Sequence, residues 1–420
     1  MNQTETATAN GNKTLPDGWR WATLREVLLR LETGSRPVGG VIAVAEGVPS
    51  LSAEHMTRFG TFDFSSSRFV PKDFYDTMTR GHIQRGDVLV VKDGATTGKV
   101  ALVSDDFPFS AAVINEHVFL CRPDQTVIEP RWLFYWLWSN EGQALIRANY
   151  QGAAIGGINQ RFADVVPVPL PPLTEQQRLV IVLGKQMTDV ERARIATEVQ
   201  LKTTKTLPAA YLREIFNSPT AKQWLRRRLS EVVDLLPAKS IATAGDAEVQ
   251  VVTTACLTEA GFDPAGIKTA RMWSNDVADC VINEGEVLIA RSNTPELVGR
   301  AVMYPGNHGK VVTSDLTIRV LPKGTITSAF LSAYLSFLFL SGHWKERAGG
   351  ASGSMKKITR VQIQREIIPV PPLSEQQGIM SRFNEKIVET AKMQAALIKQ
   401  LETVNQLHDA LLRRAFRGDI

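Results

Sequence analysis

The sequence predicts an α+β fold in which two globular domains stand in tandem repeat. Each domain is followed by a long helix, and the two helices form an antiparallel coiled coil. Residues 169–177 return at 369–377 with seven of nine positions identical. A stretch of about 40 residues with heptad spacing and few glycines or prolines follows each copy. A short strand of the pattern Gly-acid-Val-Leu-aliphatic occurs once in each half, at 86–90 and 285–289.

The repeated unit is a whole domain and not a short solenoid repeat. Downstream of the motif, Leu201 aligns with Leu401 at the same offset of 200 residues. Upstream, the offset is 199 for the strand at 86–90 and 205 for Trp19 and Trp224. Each half therefore has a variable globular part and a rigidly spaced C-terminal part, as expected of a duplicated domain.

These landmarks divide the chain into five segments. Residues 1–14 are polar and are expected to form a disordered tail, with no signal peptide. The other segments are a first globular domain at 15–168, a central helical region at 169–219, a second globular domain at 220–368 and a C-terminal helical region at 369–420.

Each globular domain is predicted to combine hairpins with buried helices. The hairpins join residues 87–91 to 99–103 and residues 286–290 to 299–303, each around a Gly-rich turn. The buried helices are predicted at the apolar runs 132–138 and 330–340. The longer run falls short of the roughly 20 residues that a membrane span requires. A curved sheet covered by helices is the expected result.

The start of each long helix is predicted from a capping box. Thr174-x-x-Gln177 and Ser374-x-x-Gln377 both have the hydroxyl and amide spacing of such a box. The prolines before them, ending at Pro172 and Pro372, cannot extend a helix backwards, which fixes where each helix begins. A cap alone would carry no functional meaning, but its duplication makes it part of a scaffold.

The long helices carry a heptad seam with a polar middle. Apolar residues such as Leu201 and Leu401 recur at spacings of four and three, and the nearest partner for each seam is the other helix. A 40-residue helix is about 60 Å long, so the pair could separate two domains as a ruler. Pro208 is expected to kink or break the first helix, whereas His408 at the matching position is not. Two ordinary bundle helices are the alternative.

Composition sets loose limits on function. The net charge of +5 and pI of 9.0 are compatible with nucleic acid but common among other proteins. The three cysteines are scattered and give neither a disulfide framework nor a zinc site, which fits the reducing cytoplasm.

The motifs of catalysis are missing. The chain has no amino-methyltransferase tetrapeptide, no Asp/Glu-x-Lys nuclease core, and no HxH or HExxH spacing for a metal. The segment 94–100 resembles a phosphate loop, but it has three residues between its glycines and Val100 where Ser or Thr must bind the metal. The sequence therefore predicts no catalytic residues, no metal site and no cofactor.

Loops rich in glycine and basic residues at matching places in both halves predict DNA contacts. Glycines let a backbone approach phosphates, and basic and amide side chains supply donors to phosphates and base edges. Solvated loops are the alternative for any single residue. The candidates are Lys92, Thr96, Thr97, Lys99, Asn159, Gln160 and Arg161 in the first half, and Arg291, Ser292, Asn293, Arg300, Lys356, Lys357 and Arg360 in the second.

With its duplicated Pro-Pro-Leu-Thr/Ser-Glu-Gln-Gln box, the helix after each copy and the paired strands, the chain resembles the DNA-specificity (S) subunit of Type I restriction-modification systems. The resemblance covers essentially everything after residue 15. It implies two target recognition domains, each reading one half of a bipartite DNA sequence. It also implies two methyltransferase subunits docked on the helices and a restriction subunit that joins them.

The resemblance accounts for the missing catalytic motifs, since S-adenosylmethionine, ATP and Mg²⁺ are then expected in the partner subunits. The partner-binding candidates are Pro172, Thr174, Gln177, Leu201, Pro372, Ser374, Gln377 and Leu401.

Three other functions stay open at this point. The chain could be a stand-alone methyltransferase or nuclease with divergent motifs. It could be an S-like adaptor of another phage-defence system, or of an orphan methylation system. It could also be a structural coiled-coil protein with incidental basic loops.

Overall fold

The computed structural model describes residues 15–41, 45–152, 156–352 and 355–420. The predicted tail at 1–14 lies outside the described residues, as do parts of two predicted DNA-binding loops, 153–155 and 353–354. The chain divides into two compact units. The first consists of the described residues up to Glu198 together with Lys399–Ile420, and the second is Val199–Ile398.

The described residues of the first half form nine strands and four short α-helices. The strands are β1 (Arg20–Thr23), β2 (Leu28–Thr33), β3 (Val48–Leu51), β4 (Phe69–Val70), β5 (Val88–Val91), β6 (Val100–Leu102), β7 (Val113–Ile114), β8 (Val118–Pro123) and β9 (Pro167–Leu170). The helices are α1 (Lys72–Thr77), α2 (Pro130–Trp138), α3 (Asn140–Ala148) and α4 (Phe162–Val165).

Two long-helix segments follow, and then the second half repeats the pattern. These segments are α5 (Leu173–Thr204) and α6 (Leu207–Phe216). The later helices are α7 (Pro219–Gln223), α8 (Leu229–Val232), α9 (Ser274–Cys280), α10 (Ser328–Leu340), α11 (His343–Arg347), α12 (Arg360–Arg365) and α13 (Leu373–Ala415).

The strands of the second half are, in order, β10 (Arg226–Arg228), β11 (Val233–Leu236), β12 (Ala247–Val252), β13 (Leu257–Thr258), β14 (Gly261–Phe262), β15 (Ile267–Met272), β16 (Val287–Ala290), β17 (Ser292–Asn293), β18 (Ala301–Met303), β19 (Val311–Thr313), β20 (Thr317–Pro322), β21 (Gly349–Ser352), β22 (Met355–Lys357) and β23 (Ile367–Pro369).

The main sheets of the first half have counterparts of the same topology in the second half, which also contains the sheets β13-β14 and β17-β22-β21. The first half has sheets ordered β2-β8-β5-β6, β4-β3-β7 and β1-β9, and the second has the matching sheets β11-β20-β16-β18, β15-β12-β19 and β10-β23. Both predicted hairpins are confirmed, as β5 with β6 and β16 with β18. The predicted buried helices are also confirmed, as α2 and α10, whose aromatic and leucine side chains pack in the two main cores.

A buried ion pair ties the first strand of each hairpin to its neighbour. Asp87 binds Arg122 at 2.8 Å in the first half, and Glu286 binds Arg319 at 2.8 Å in the second. Burial raises the pKa of Asp87, while the guanidinium of Arg122 opposes that rise. Each arginine also donates to a backbone carbonyl, which adds to the compensation for burying its charge.

Each long helix ends in the core of a unit where the other begins. Phe416, just after α13, packs its ring at 4.6 Å from Trp132 of α2 in the first unit. Phe216, the last residue of α6, packs at 5.5 Å from Phe330 of α10 in the second. Phe216 and Phe416, which align at the predicted offset of 200 residues, therefore make equivalent contacts in the two units.

The long helices run antiparallel within each unit. In the first unit, Arg178 of α5 donates to the carbonyl of Ile420 after α13, at 2.8 Å. In the second, Glu214 of α6 pairs with Lys386 of α13 at 3.0 Å. Tyr211, one turn before Glu214, lies 3.4 Å from Thr390, one turn after Lys386.

Pro208 acts as predicted, but the capping boxes do not. The first helix is interrupted after Thr204 and resumes at Leu207, with Pro208 in the first turn of α6, whereas α13 continues through His408. Both long helices begin one residue before the predicted cap, so Thr174 and Ser374 lie inside the first turn. A proline carbonyl accepts the first helical hydrogen bonds of each helix; the N–H groups of Glu175 and Gln176, for example, donate to the carbonyl of Pro172.

The residue that fixes each helix start is the first glutamine of the repeated box. Gln176 is fully buried; its Oε1 accepts from the backbone of Glu129 at 2.8 Å, and its Nε2 donates to the carbonyls of Val127 and Pro171. Gln376 makes the same three bonds to Thr327, Thr325 and Pro371. The duplicated box therefore joins each long helix to the buried helix of its own domain.

Among the described residues, none of the helices is both long and apolar enough to cross a membrane.

Candidate nucleic-acid interface

Three loops of the first half meet at one end of its four-stranded sheet. The backbone N–H of Lys92, at the end of β5, donates to the carbonyl of His117 at 2.8 Å. The N–H of Ile158 donates to the carbonyl of Lys92, also at 2.8 Å. The hairpin turn after β5, the loop before β8 and the loop before α4 thus form a continuous surface, called the first edge here.

At the first edge, acidic and basic side chains surround the imidazole of His117. Nδ1 of His117 lies 2.6 Å from Asp93, and its Nε2 lies 3.1 Å from a guanidinium nitrogen of Arg36. Glu116 pairs with Arg36 and lies 3.3 Å from the same Nε2. About half of the Arg36 side chain and 42% of His117 are exposed. Donors and acceptors of this kind can contact phosphates and base edges.

The second half has an equivalent edge built from the same backbone bonds. The N–H of Arg291 donates to the carbonyl of Leu316 at 2.9 Å, and the N–H of Ile358 donates to the carbonyl of Arg291 at 2.9 Å. The N–H of Asp315 donates to the carbonyl of Lys239 at 3.0 Å, which brings a fourth loop into this second edge.

The second edge presents two lysines on a short strand. Asn293 of β17 pairs with Lys356 of β22, and Ser292 pairs with Lys357. Lys357 is exposed and Lys356 is half-buried. Ser292 itself is only 5% exposed, so its side chain faces the domain interior and leaves the candidate surface.

Several predicted DNA-binding cations are already bound to their own domain. Lys99 donates from Nζ to the carbonyls of Met56 at 2.8 Å and Ala53 at 3.2 Å, and its burial lowers its pKa. Arg300, which follows the matching turn, donates to the carbonyl of Leu257. These two cations hold the hairpin turn against the neighbouring loop in both halves.

Arg360 and Arg291 are engaged in the same manner. Arg360 donates to the carbonyls of Leu235 and Leu236, and burial lowers its pKa, with the charge of Arg291 adding to the effect. Arg291 donates from Nη1 to the carbonyl of Asp315 at 3.0 Å. Both arginines therefore bind backbone carbonyls of their own domain at the second edge.

The other first-half candidates fall in two places. Asn159, Gln160 and Arg161 lead into α4 beside the first edge, where Asn159 accepts from the N–H of Arg161 and the carbonyl of Gln160 accepts from Arg25. Thr96 and Thr97 instead line a cleft of about 1200 Å³ between the hairpin turn and the long helices of the first unit. In the hairpin turn after β5, Lys92 therefore lies at the first edge, whereas Thr96 and Thr97 line the cleft.

The predicted partner-binding residues lie on matching helix starts. Pro172, Thr174 and Gln177 are exposed on the first turn of α5, and Pro372, Ser374 and Gln377 are exposed on the first turn of α13. Leu201 and Leu401 are half-buried along the helices.

Sequence reasoning missed Arg36, Glu116, His117 and Lys239. Glu116 and His117 align with Asp315 and Leu316 at the offset of 199 that relates the hairpins. That offset was a usable signal for the loop. Arg36 and Lys239 carry no such signal, because their loops differ in length. Among the described residues, no group of three or more acids, histidines and cysteines could hold a metal ion.

Comparison with known proteins also finds a tandem repeat in the chain. The family model for the Type I restriction modification DNA specificity domain matches residues 16–201 and again 221–403. The Type I restriction enzyme StySPI specificity subunit of Salmonella potsdam is 22% identical, over 97% of this chain and 90% of its own length. The EcoKI specificity subunit of Escherichia coli K12 is 21% identical with the same coverage.

Solved structures share the fold. A chain from a structural study of complex assembly and conformational transition of the type I R-M system has a TM-score of 0.74 at 22% identity, covering 97% of this chain and all of its own. The HsdS subunit of Thermoanaerobacter tengcongensis has a TM-score of 0.57 at 22% identity, covering 98% and 99% of the two chains. With two matches that together span most of its length, the chain belongs to the Type I restriction modification DNA specificity family, as a tandem of two such domains.

Proposed function

We propose that the chain is the non-catalytic DNA-reading subunit of a Type I restriction-modification complex, with each domain reading one half of a bipartite target. The observation that carries this proposal is the duplicated edge. One backbone framework is built twice, and each copy presents a different set of polar side chains from matching loops. Such a pair of surfaces suits two short sequences that differ from each other.

The two edges differ in the groups that they offer. Asp93, Glu116 and His117 give the first edge acceptors as well as donors. Lys356 and Lys357 make the second more strongly cationic. Acceptors favour contact with base amino groups, and lysines favour phosphates and guanine. The two half-sites are therefore expected to differ, with the second domain contributing more of the salt-dependent affinity.

The long helices would set the spacing between the half-sites. At 1.5 Å per residue, the 43 residues of α13 span about 64 Å. Readers placed one or two helical turns of DNA apart, about 34–72 Å, would need a rigid connection of comparable length. In this proposal the continuous α13 would supply that connection, whereas the other helix is interrupted between Thr204 and Leu207.

The same partner is expected to bind twice. The exposed first turns of α5 and α13 carry nearly the same sequence, and each is held to its own domain by a buried glutamine. Two copies of one surface would bind two copies of one methyltransferase subunit, and a restriction subunit would join that complex. Methyl transfer and cleavage, with S-adenosylmethionine, ATP and Mg²⁺, would then reside in these partners.

The test is to express the chain with the methyltransferase encoded beside its gene and to map methylated bases across the host genome. A split motif of two short half-sites around a fixed gap, present only with this chain, is the expected result. Methylation that is unchanged when the chain is deleted would refute the proposal.

A further inference from the structure

A turn of the first domain docks directly on a long helix. In the turn at residues 57–61, the ring of Phe59 lies beneath the guanidinium of Arg194 of α5, at 3.6 Å from the ring centroid. The guanidinium of Arg58 lies 4.5 Å from the same ring. A cation this close to an aromatic face is attracted to it, and the attraction grows when water is excluded.

Arg194 is held in place from both sides. It is only 8% exposed, binds Glu191 through two hydrogen bonds of 2.8 and 2.6 Å, and binds Glu198 at 2.6 Å. Glu198 also lies 3.9 Å from Arg58 of the turn. This explains the polar middle of the first heptad seam, because a domain loop, and not only the other helix, packs there.

The same turn is fixed to the body of its domain. Nε1 of Trp138 donates to the carbonyl of Arg58 at 3.1 Å. Gly60 sits so close to Phe134 that an added Cβ would be 2.3 Å from the ring. Trp138 in turn contacts His408 of α13 edge to face at 4.2 Å. The turn therefore links the buried helix α2 to both long helices of the first unit.

The second half has different side chains at the positions that join the turn to α2 and α5. When α2 and α10 are aligned at their first residues, Pro130 and Ser328, Phe134 and Trp138 correspond to Ser332 and Ser336. At the offset of 200 for the long helices, Arg194 corresponds to Gln394. The matching turn lies between β13 and β14, and an added Cβ at its Gly261 would meet nothing within 4 Å. The chain thus contains its own control for the contact.

We propose that Phe59 and Arg194 are positioning residues that fix the orientation of the first domain on α5, so that its half-site is read in only one register relative to the spacer. The second domain is attached at its helix start through Gln376 and has Gln394, not an arginine, at the position of Arg194. It accommodates small changes in spacing that the first domain does not. The inference rests on the proposed function, and it assigns a role in spacing to residues away from either edge.

The test compares Phe59→Ala with Phe59→Tyr, which keeps an aromatic face, and with Gln394→Ala as the matched change in the second half. Each variant is assembled with the methyltransferase. Its methylation rate is then measured on the target found by genome mapping and on targets whose gap is one base pair longer or shorter. Hydrogen exchange of residues 57–61 and 258–261 is followed on the same complexes.

We expect Phe59→Ala to speed exchange at 57–61 only, and to reduce the preference for the natural gap by up to about thirtyfold, which corresponds to the loss of a desolvated cation–π contact. Phe59→Tyr and Gln394→Ala should keep the natural preference. An unchanged preference in Phe59→Ala, or an equal loss on all three targets, would overturn the inference. If methylation never depends on the chain, the proposed function fails. Unchanged exchange at 57–61 would separately show that the contact between Phe59 and Arg194 does not hold the turn.

Discussion

Replacing Gln176 tests whether the repeated box anchors the long helix to its domain. Gln176→Met keeps the length of the side chain but removes both polar atoms from a fully buried site. The N–H of Glu129 and the carbonyls of Val127 and Pro171 then lose hydrogen bonds of 2.8, 3.1 and 2.9 Å. An unsatisfied buried group costs about 1–3 kcal/mol, so a loss of about 3–5 kcal/mol is expected after the gain from the apolar methionine.

The neighbouring glutamine is the matched control. Gln177 has the same chemistry one residue later in the helix but is exposed, so Gln177→Met should leave stability nearly unchanged. Gln376→Met repeats the experiment in the second unit, where the corresponding bonds measure 2.8, 3.0 and 2.8 Å. Its loss should match that of Gln176→Met.

Calorimetry and urea denaturation measure the loss, and hydrogen exchange of the peptides around residues 129 and 327 assigns it to a unit. The assignment is needed because two units can unfold in separate transitions. A loss below about 1 kcal/mol for Gln176→Met, or one equal to that of Gln177→Met, would show that water replaces the amide. The anchoring role of the box would then be wrong.

Two further predictions concern the second edge and the turn at residues 57–61. Replacing Lys356 and Lys357 by alanine should reduce the slope of log affinity against log salt by about one to two units, because each phosphate contact contributes about 0.9. Lys310→Ala, at the far end of β19 from the second edge, should leave that slope unchanged; equal slopes in all variants would remove both lysines from the interface. Gly60→Ala should destabilise the first unit by about 2–4 kcal/mol, because a positive φ of 75° is combined with a clash. Gly261→Ala, with positive φ but open space, should cost about 1–2 kcal/mol in thermal denaturation, and equal losses would contradict the close packing on α2.

Local patterns predicted the elements, and distant contacts decided their connections. The hairpins and buried helices followed from apolar runs bounded by turns, which depend on neighbours in the sequence. Gln176 was passed over in favour of Gln177 because a capping box is a local motif, whereas the partner that buries Gln176 is Glu129, 47 residues earlier. Arg194 lies in the polar middle of the first seam, and its aromatic partner Phe59 cannot be found from helical periodicity.

The candidate site was predicted only in outline. Matching loops in the two halves pointed to one end of each sheet, and the backbone bonds around Lys92 and Arg291 at that end are duplicated. The role of each cation could not be read from its type. Lys99 and Arg300 face the carbonyls of neighbouring loops and Lys357 faces solvent, a difference set by tertiary packing.

The two halves agree in their interiors and differ at their edges. Both halves keep the buried acid, as Asp87 and Glu286, but the arginine that neutralises it occupies a different strand position. Arg122 of β8 lies opposite Asp87, whereas Arg319 of β20 lies opposite Leu288. A buried carboxylate needs a counter-charge but not a particular strand position, so the arginine could move while the pair stayed intact. At the edges no such demand applies, and His117 stands where the other half has Leu316. Since folding requires the interior to match and leaves the edges free, differences at the edges are where two half-sites of different sequence would be encoded.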